Sequence, residues 1–427
     1  MERNEGIFKP DKPADFLQSA LAWANDFDYF SYFNPNNIAY PFDPFLHFLA
    51  ADCLEVLSFG RDDPFETIKR YHQQHQDWLI GFLGYDLKNT IEDLSSKNID
   101  RIQNQEIHFF SPKHLIYFEK DQIMIQTVED PAAVYAAIQQ FHIPSPGRTF
   151  AADINQAISK ENYIDRVKKI QQHILEGDIY EMNFCFEFFA ENCQIDPVAV
   201  YYALCQLSPK PFSVLQKVKE HFLLSASPER FLKKTGEIII SQPIKGTAPR
   251  GKNSIEDVQL KSTLRDNEKE QAENLMIVDL VRNDLAKSAQ AGSVKVTELF
   301  GIYSFSQVHQ MISTVTATLK PDLHFTAAIR NAFPMGSMTG APKIKVMELI
   351  ELYEQSKRGL YAGAAGYITP KGDFDFNVVI RSILYNQGTK MLSFHVGSAI
   401  TYDSDPEAEY KECLLKAHAI LQVLRSP

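Results

Sequence analysis

An α+β fold is what the sequence predicts, and two observations predict it. Short β-branched and aromatic runs recur along all 427 residues, often as pairs split by turn signals, with helical periodicities interspersed and no regular strand–helix alternation. No G-x-G-x-x-G opens a helix and no repeat has a fixed period, which sets aside a doubly wound sheet, solenoids and propellers.

Taken in order, residues 1 to about 60 alternate aromatic and polar side chains (Phe27, Tyr29, Phe30, Tyr32, Phe33) before the turn-rich Asn34-Pro35-Asn36-Asn37, which predicts strands and short helices. A helix is expected from Phe65 to Gln76. Trp78 to Asp86 follows as a strand whose glycines allow a close backbone approach. Ile107 to Val128 alternates like a hairpin turning at Glu119-Lys120-Asp121. Pro144-Ser145-Pro146-Gly147 is the clearest linker, dividing an N-terminal segment, 1–147, from the main part, 148–427.

Ser159 opens an amphipathic helix bearing Tyr163, Val167, Ile170 and Ile174, closed by Gly177. Ile179 to Ala190 is an aromatic strand, Tyr201 to Leu207 a short helix, and strands are expected at Phe212 to Gln216 and Phe222 to Ala226. Strand signals recur at Gly359 to Thr369, Phe374 to Leu384 and Lys390 to Thr401, each expected between helices. Asp405 and Pro406 start the last helix, which carries one apolar stripe from Tyr410 to Leu424.

The composition, 44% hydrophobic and 23% charged, is that of a globular chain, and 43 basic against 54 acidic residues leave a net charge of -11. Nucleic acid and anionic membranes are poor partners for such a surface. No signal peptide or apolar stretch of membrane-spanning length is legible, so a soluble, cytoplasmic protein is expected. Five scattered cysteines without a CxxC pair predict buried thiols, neither disulfides nor a zinc site.

Five features point to chemistry. In Pro243-Ile244-Lys245-Gly246-Thr247 a lysine follows the β-branched run 237–241, where a buried strand is expected to end in a turn. Enclosed, it would favour the neutral, nucleophilic amine; exposed, it is an ordinary surface lysine. Glu229, one hairpin earlier, is either an acid beside it or a surface carboxylate. Glu270 and Glu273 on one helix, and Glu409 and Glu412 on the last, are i,i+3 pairs that can meet around a hard divalent cation or remain two solvated faces. Gly336 to Lys343 precedes a helix expected from Ile344 to Tyr353, as an anion-binding start or a capping turn. Arg381, within the apolar strand 376–383, needs an anion, either a structural Asp or a ligand carboxylate.

These stretches resemble the chorismate-utilising enzymes. The resemblance rests on SPERF (227–231), PIKGTAPRG (243–251), ENLMIVDLVRNDL (273–285), GSMTGAPK (336–343), GLYAGAAGY (359–367), FNVVIRSI (376–383) and DSDPEAEYKEC (403–413), spans about 155 to 425, and is echoed by GFLGYD at 81–86. It implies an antiparallel β-sandwich with helices packed outside, the N-terminal segment contributing strands to one intertwined body. The lysine of PIKGT is the discriminating letter. Anthranilate synthases carry alanine there, and this chain is similar to the branch that makes 4-amino-4-deoxychorismate on the route to 4-aminobenzoate and folate.

The resemblance implies that Lys245 attacks C2 of chorismate while Glu229 protonates the departing 4-hydroxyl, and that ammonia then adds at C4 and expels the lysine. It also implies Mg2+ held by Glu273 and Glu412, with Glu270 and Glu409 acting through water. Tyr361, Arg381, Gly397 and Lys416 match positions that receive the substrate carboxylates; Thr339 and Gly340 match the loop beside them, and Asn183 an asparagine near the lysine. No glutaminase Cys-His-Glu set is visible, so a separate glutamine amidotransferase subunit is the expected ammonia source. Two departures stand out: His309-Gln310 where many relatives have the histidine at the second position, and Ala399 in place of the second glycine of G-x-G. An anthranilate or isochorismate synthase is the alternative in the same family. A catalytically weak chorismate-binding subunit that docks a glutaminase is the alternative of another class.

Overall fold

The structure, a computed structural model, describes residues 2–60, 63–142, 153–305 and 308–425. Several of its helices begin at side-chain caps. Asp63 accepts from the Phe65 amide at the head of Pro64–His75, Ser159 from Asn162 ahead of Lys160–Leu175, and Asn267 from Glu270 ahead of Glu268–Ala286. Asp405 accepts from Glu407 and Ala408 at the start of the last helix, Pro406–Arg425. The short helix expected from Tyr201 starts earlier, at Pro197, because Asp196 caps it. The linker at 144–147, and with it the division at residue 147, lies outside the described residues.

Every ladder between strands is antiparallel, and one continuous order runs through the molecule. It starts at Glu181–Ala190 and passes through Met391–Ile400, Ser382–Asn386, His221–Ser227, Phe212–Val218, Tyr29–Asn34 and Phe48–Val56 to Ile107–Phe118. It continues through Leu79–Leu83, Ala364–Ile368, Phe374–Val378, Arg230–Thr235 and Ile238–Gln242 to Val308–Thr318. Strands from the first 120 residues therefore form the middle of the sheet, with later strands on both flanks.

The two ends of this order come together, for Lys245 at one end reaches Glu181 at the other. Between the halves lies a shared apolar core in which Leu224, Leu232, Phe376 and Phe394 are all fully buried. Helices cover the outside; Pro406–Arg425 lies against Met391–Ile400 and turns Cys413, Ala417, Ile420 and Leu424 inward.

The chain crosses between halves at two tight corners. Pro228-Glu229 joins His221–Ser227 to Arg230–Thr235, and 379–381 joins Phe374–Val378 to Ser382–Asn386. Backbone bonds pin both, from the Val378 amide to the Glu229 carbonyl at 2.9 Å and from the Ala226 amide to the Arg381 carbonyl at 3.2 Å. The expected strand from Phe374 to Leu384 is thus two strands, broken where Arg381 takes a positive φ of 54°. The helices expected between the strand signals after Gly359 are absent among the described residues, since four strands from Ala364 to Ile400 follow one another directly.

Candidate active site

Lys245 does not close a strand at a turn. Pro243 ends Ile238–Gln242, and a new strand, Ile244–Pro249, starts at once. Its register against Val308–Thr318 slips between Ile244 and Thr247, so Lys245 and Gly246 form a bulge, with Gly246 at a φ of 87°. The bulge turns the lysine inward, where only 12% of its side chain is exposed and Nζ donates to Glu181 Oε1 at 2.9 Å.

Enclosure therefore does not yield a neutral amine. Burial pulls the lysine pKa down, but the charges of Glu181 and Glu273 and the Glu181 hydrogen bond outweigh it, and the net shift is upward. In this state Lys245 is an ammonium ion.

Glu229, at the first corner, is 5% exposed. Burial pushes its carboxyl up to about 7, against the opposing pull of the Ser337 hydroxyl, the Lys245 charge and the Ile244 amide. A carboxyl so placed keeps its proton near neutrality. Its bond to the amide of Ile244 sets it beside the lysine.

The second corner presents Arg381. Its Nη1 donates to the Lys416 carbonyl at 3.0 Å, and it forms no ion pair with an Asp or Glu among the described residues, so the structural-carboxylate alternative falls away. Around it stand Lys416, whose Nζ donates to the Gly397 carbonyl at 2.9 Å and to Glu412 at 2.6 Å, and Tyr361, whose ring stacks on His395 at 5.0 Å. A Cβ on Gly397 would sit 2.4 Å from Cys185 Sγ, so only glycine fits.

The 336–343 loop leads into the helix Lys343–Tyr353, as expected, but gives it no side-chain cap. Gly340-Ala341 pairs with Glu181-Met182 as a short strand, Pro342 precedes the helix Lys343–Tyr353, and the Thr339 hydroxyl donates to the carbonyls of Met335 and Gly336. What the loop contributes is position. The Asn183 amide donates to the Thr339 carbonyl at 2.8 Å, which locks the loop to the strand beside the lysine.

Strand alternation separates the two unusual positions on Val308–Thr318. His309 bonds Ser304 and Asp257, whereas Gln310 faces the opposite side, where its Oε1 is buried without a partner. Ala399 lies in register opposite Asn183.

The two helix-borne carboxylate pairs do approach. Lys269 Nζ lies 3.8 Å from Glu273 and 3.7 Å from Glu409, bridging the helices. Burial, then the charge of Glu412, raises Glu270. Burial raises Glu273 to about 7, with Glu181 and Glu270 adding to the rise and Lys245 opposing it. In Glu412 the Lys416 ammonium outweighs burial and holds the carboxyl low. Mutual repulsion among buried oxygens, with a lysine nitrogen drawn between them, is the environment that a hard divalent cation relieves. All four donors are carboxylate oxygens, the kind of ligand that magnesium takes. Two of the four already have close partners, Glu409 Oε1 accepting from Ser404 at 2.9 Å and Glu412 Oε1 from Lys416 at 2.6 Å.

Sequence reasoning missed Glu181, a carboxylate at the head of a mostly apolar and aromatic strand that also carries Asn183 and Glu187. It also missed Arg358, fully buried with Glu354, which holds the carbonyls of Met338 and Asn183 at 2.6 and 2.9 Å and so ties the loop to the site. For Glu181 the one available signal was an ionisable residue within a largely apolar stretch, the signal that did expose Arg381; Arg358, in Ser356-Lys357-Arg358-Gly359, carried none.

The chorismate binding enzyme family matches residues 30–422. The chain belongs to that family. This chorismate-binding enzyme is 34% identical over 353 residues to aminodeoxychorismate synthase component 1 of Escherichia coli, covering 82% of its own length and 77% of the relative's. It is 43% identical over 268 residues, 62% of the chain, to the aminodeoxychorismate synthase of Streptomyces griseus, of which it spans only 36%. It is also 32% identical over 344 residues, 80% of the chain and 79% of the relative, to anthranilate synthase component 1 of Saccharolobus solfataricus. Among solved structures, anthranilate synthase component I of Streptococcus pneumoniae superposes with a TM-score of 0.78 at 26% identity, over 88% of this chain and 92% of that one. No helix among the described residues is long and apolar enough to cross a membrane.

Proposed function

We propose that this chorismate-binding enzyme converts chorismate and ammonia into 4-amino-4-deoxychorismate through a covalent adduct on Lys245. The observation that carries the reading is the pairing of an enclosed lysine with a neighbouring carboxyl that burial holds protonated up to about pH 7. A displacement at C2 with loss of the 4-hydroxyl needs both a nucleophile and a proton donor for the leaving oxygen, and Glu229 is placed as the donor. Anthranilate and isochorismate syntheses have no use for a nucleophile at C2, which sets Lys245 against that alternative.

Arg381 and Lys416, with the Tyr361 hydroxyl, supply the cationic wall for the two substrate carboxylates. The Gly397 carbonyl holds the Lys416 ammonium in place, while Thr339, Gly340 and Asn183, tied by backbone pairing, form a rigid edge beside Lys245. Glu273 and Glu412 would hold the Mg2+ ion, with Glu270 and Glu409 behind them; bound there, it supplies positive charge that offsets the ring carboxylate. A separate glutamine amidotransferase subunit delivers the ammonia, in keeping with the component numbering of the bacterial relatives. The segments 1–147 and 148–427 act as one body.

The deciding experiment is mass-spectrometric product analysis of the purified protein with chorismate, Mg2+ and ammonium, beside Lys245→Ala. Aminodeoxychorismate from the wild type and at least a thousandfold less from the variant is the expected result, since loss of a nucleophile forfeits the two-step route (on the order of 10³ or more). Anthranilate or isochorismate as product would overturn the reading. Chorismate binding without turnover would assign the chain a docking role for the glutaminase.

A further inference from the structure

The Lys245 amine has a proton to lose before it can attack, and its lone pair is spent until then. Three carboxylates surround it. Glu229 is itself protonated near neutrality and is assigned to the leaving hydroxyl, and Glu273 lies beyond ion-pair distance from Nζ, among the residues facing the cation position. Glu181 alone is within hydrogen-bond reach, at 2.9 Å.

Its placement is fixed from both sides. Glu181 is 1% exposed, and its backbone pairs with Ala341 while Met182 pairs with Gly340. Its second oxygen, Oε2, is buried and has no hydrogen-bond partner among the described residues, a costly arrangement that leaves the carboxylate with unused capacity to accept a proton.

We infer that Glu181 takes the Nζ proton of Lys245 as the adduct forms and returns it when the lysine is expelled, which makes Glu181 the positioning residue that switches the nucleophile on. This rests on the function proposed above. The balance closes within the site. A proton passes from Nζ to Glu181, the freed lone pair forms the C2–N bond, and the C4–O bond breaks as Glu229 donates its proton and water leaves. Ammonia then forms the C4–N bond as the C2–N bond breaks with its electrons returning to Nζ. The new C4 ammonium gives a proton to Glu229, and Glu181 gives its own back to Lys245. No redox partner is required.

Glu181→Gln tests this, because the amide keeps the size and can keep a hydrogen bond but cannot accept the proton. Two quantities are read in wild type and variant: the rate at which a Lys245 peptide gains the mass of chorismate less water in the absence of ammonium, and KM against kcat with ammonium present. The expected result is an adduct rate and kcat about 10²- to 10⁴-fold lower, the range for removal of a proton-transfer partner, with KM for chorismate within about threefold and partial recovery in Glu181→Asp. Adduct formation by Glu181→Gln within about threefold of the wild-type rate would overturn the role of Glu181 and leave the function standing. A wild type that turns chorismate over without any adduct would overturn both.

Discussion

The site is built from two kinds of support that treat charge differently. Residues on the sheet, Lys245, Glu181, Glu229 and Arg381, sit in ladders or at pinned corners, mostly buried, each with a defined partner or proton. The carboxylates on the helices Glu268–Ala286 and Pro406–Arg425 range from the buried Glu409 to the exposed Glu412, and a lysine, Lys269, with its side chain 54% exposed, spans the gap between Glu273 and Glu409. The sheet thus stores a prepared proton arrangement, while the helices hold an unresolved excess of negative charge. Strand ladders fix a side chain's direction residue by residue, which suits proton transfer over one hydrogen bond. Two helix faces set only an approximate distance, which suits a cation that brings its own waters.

This contrast is broken first at the sheet. Glu229→Gln should slow ammonia-free adduct formation by about 10²- to 10⁴-fold. The wild-type rate should fall as pH rises through about 7, where Glu229 loses the proton that it must donate, whereas the residual rate of the variant should show no such fall. A wild-type profile that is flat from pH 6 to 8.5 would remove Glu229 as the acid. Next in size is Arg381→Ala, expected to raise KM for chorismate by about 10- to 100-fold with a smaller change in kcat, as befits loss of a charged hydrogen-bonding group worth about 1.5–3 kcal/mol. A change confined to kcat would move Arg381 out of substrate binding.

The helix side is sharpened by calorimetry and thermal shift without substrate. Mg2+ should raise the melting temperature of the wild type by a few degrees and that of Glu273→Gln hardly at all. The rise should be smaller at pH 6 than at pH 8, because the folded-state pKa of Glu273 is lifted to about 7 and a proton then competes with the cation below it. Equal shifts in both proteins would place the ion elsewhere. The smallest effect expected is that of Lys269→Met, which removes the competing ammonium and should tighten Mg2+ binding about two- to fivefold, the scale of an exposed ion pair. Weaker binding in that variant would mean that Lys269 organises the carboxylates instead of competing for them.

The same division decides what could be read from the chain beforehand. Helix starts were legible because the cap and the first turn are local, as at Ser159 and Asp405. Glu229, Lys245 and the four glutamates were legible through motif and spacing. Arg381 was read as a residue in mid-strand, because no glycine or asparagine announces its positive φ; the corner exists because strands distant in sequence hold its carbonyl. Glu181 was invisible for a related reason: its meaning depends on the opposite end of the ladder meeting it, 64 residues away in sequence. The neutral amine expected of Lys245 if enclosed is not what enclosure produces, since that reading weighed burial without the buried partner.

One consequence of the two corners concerns time. Glu229 and Arg381 each lie where the chain passes from one half of the sheet to the other, so neither has its place until both halves have docked. A refolding chain can recover strand content early and still have neither Glu229 nor Arg381 in place. Catalysis should therefore be the last property regained, and activity measured against circular dichroism during refolding would serve as a clock for the final closing of the two halves.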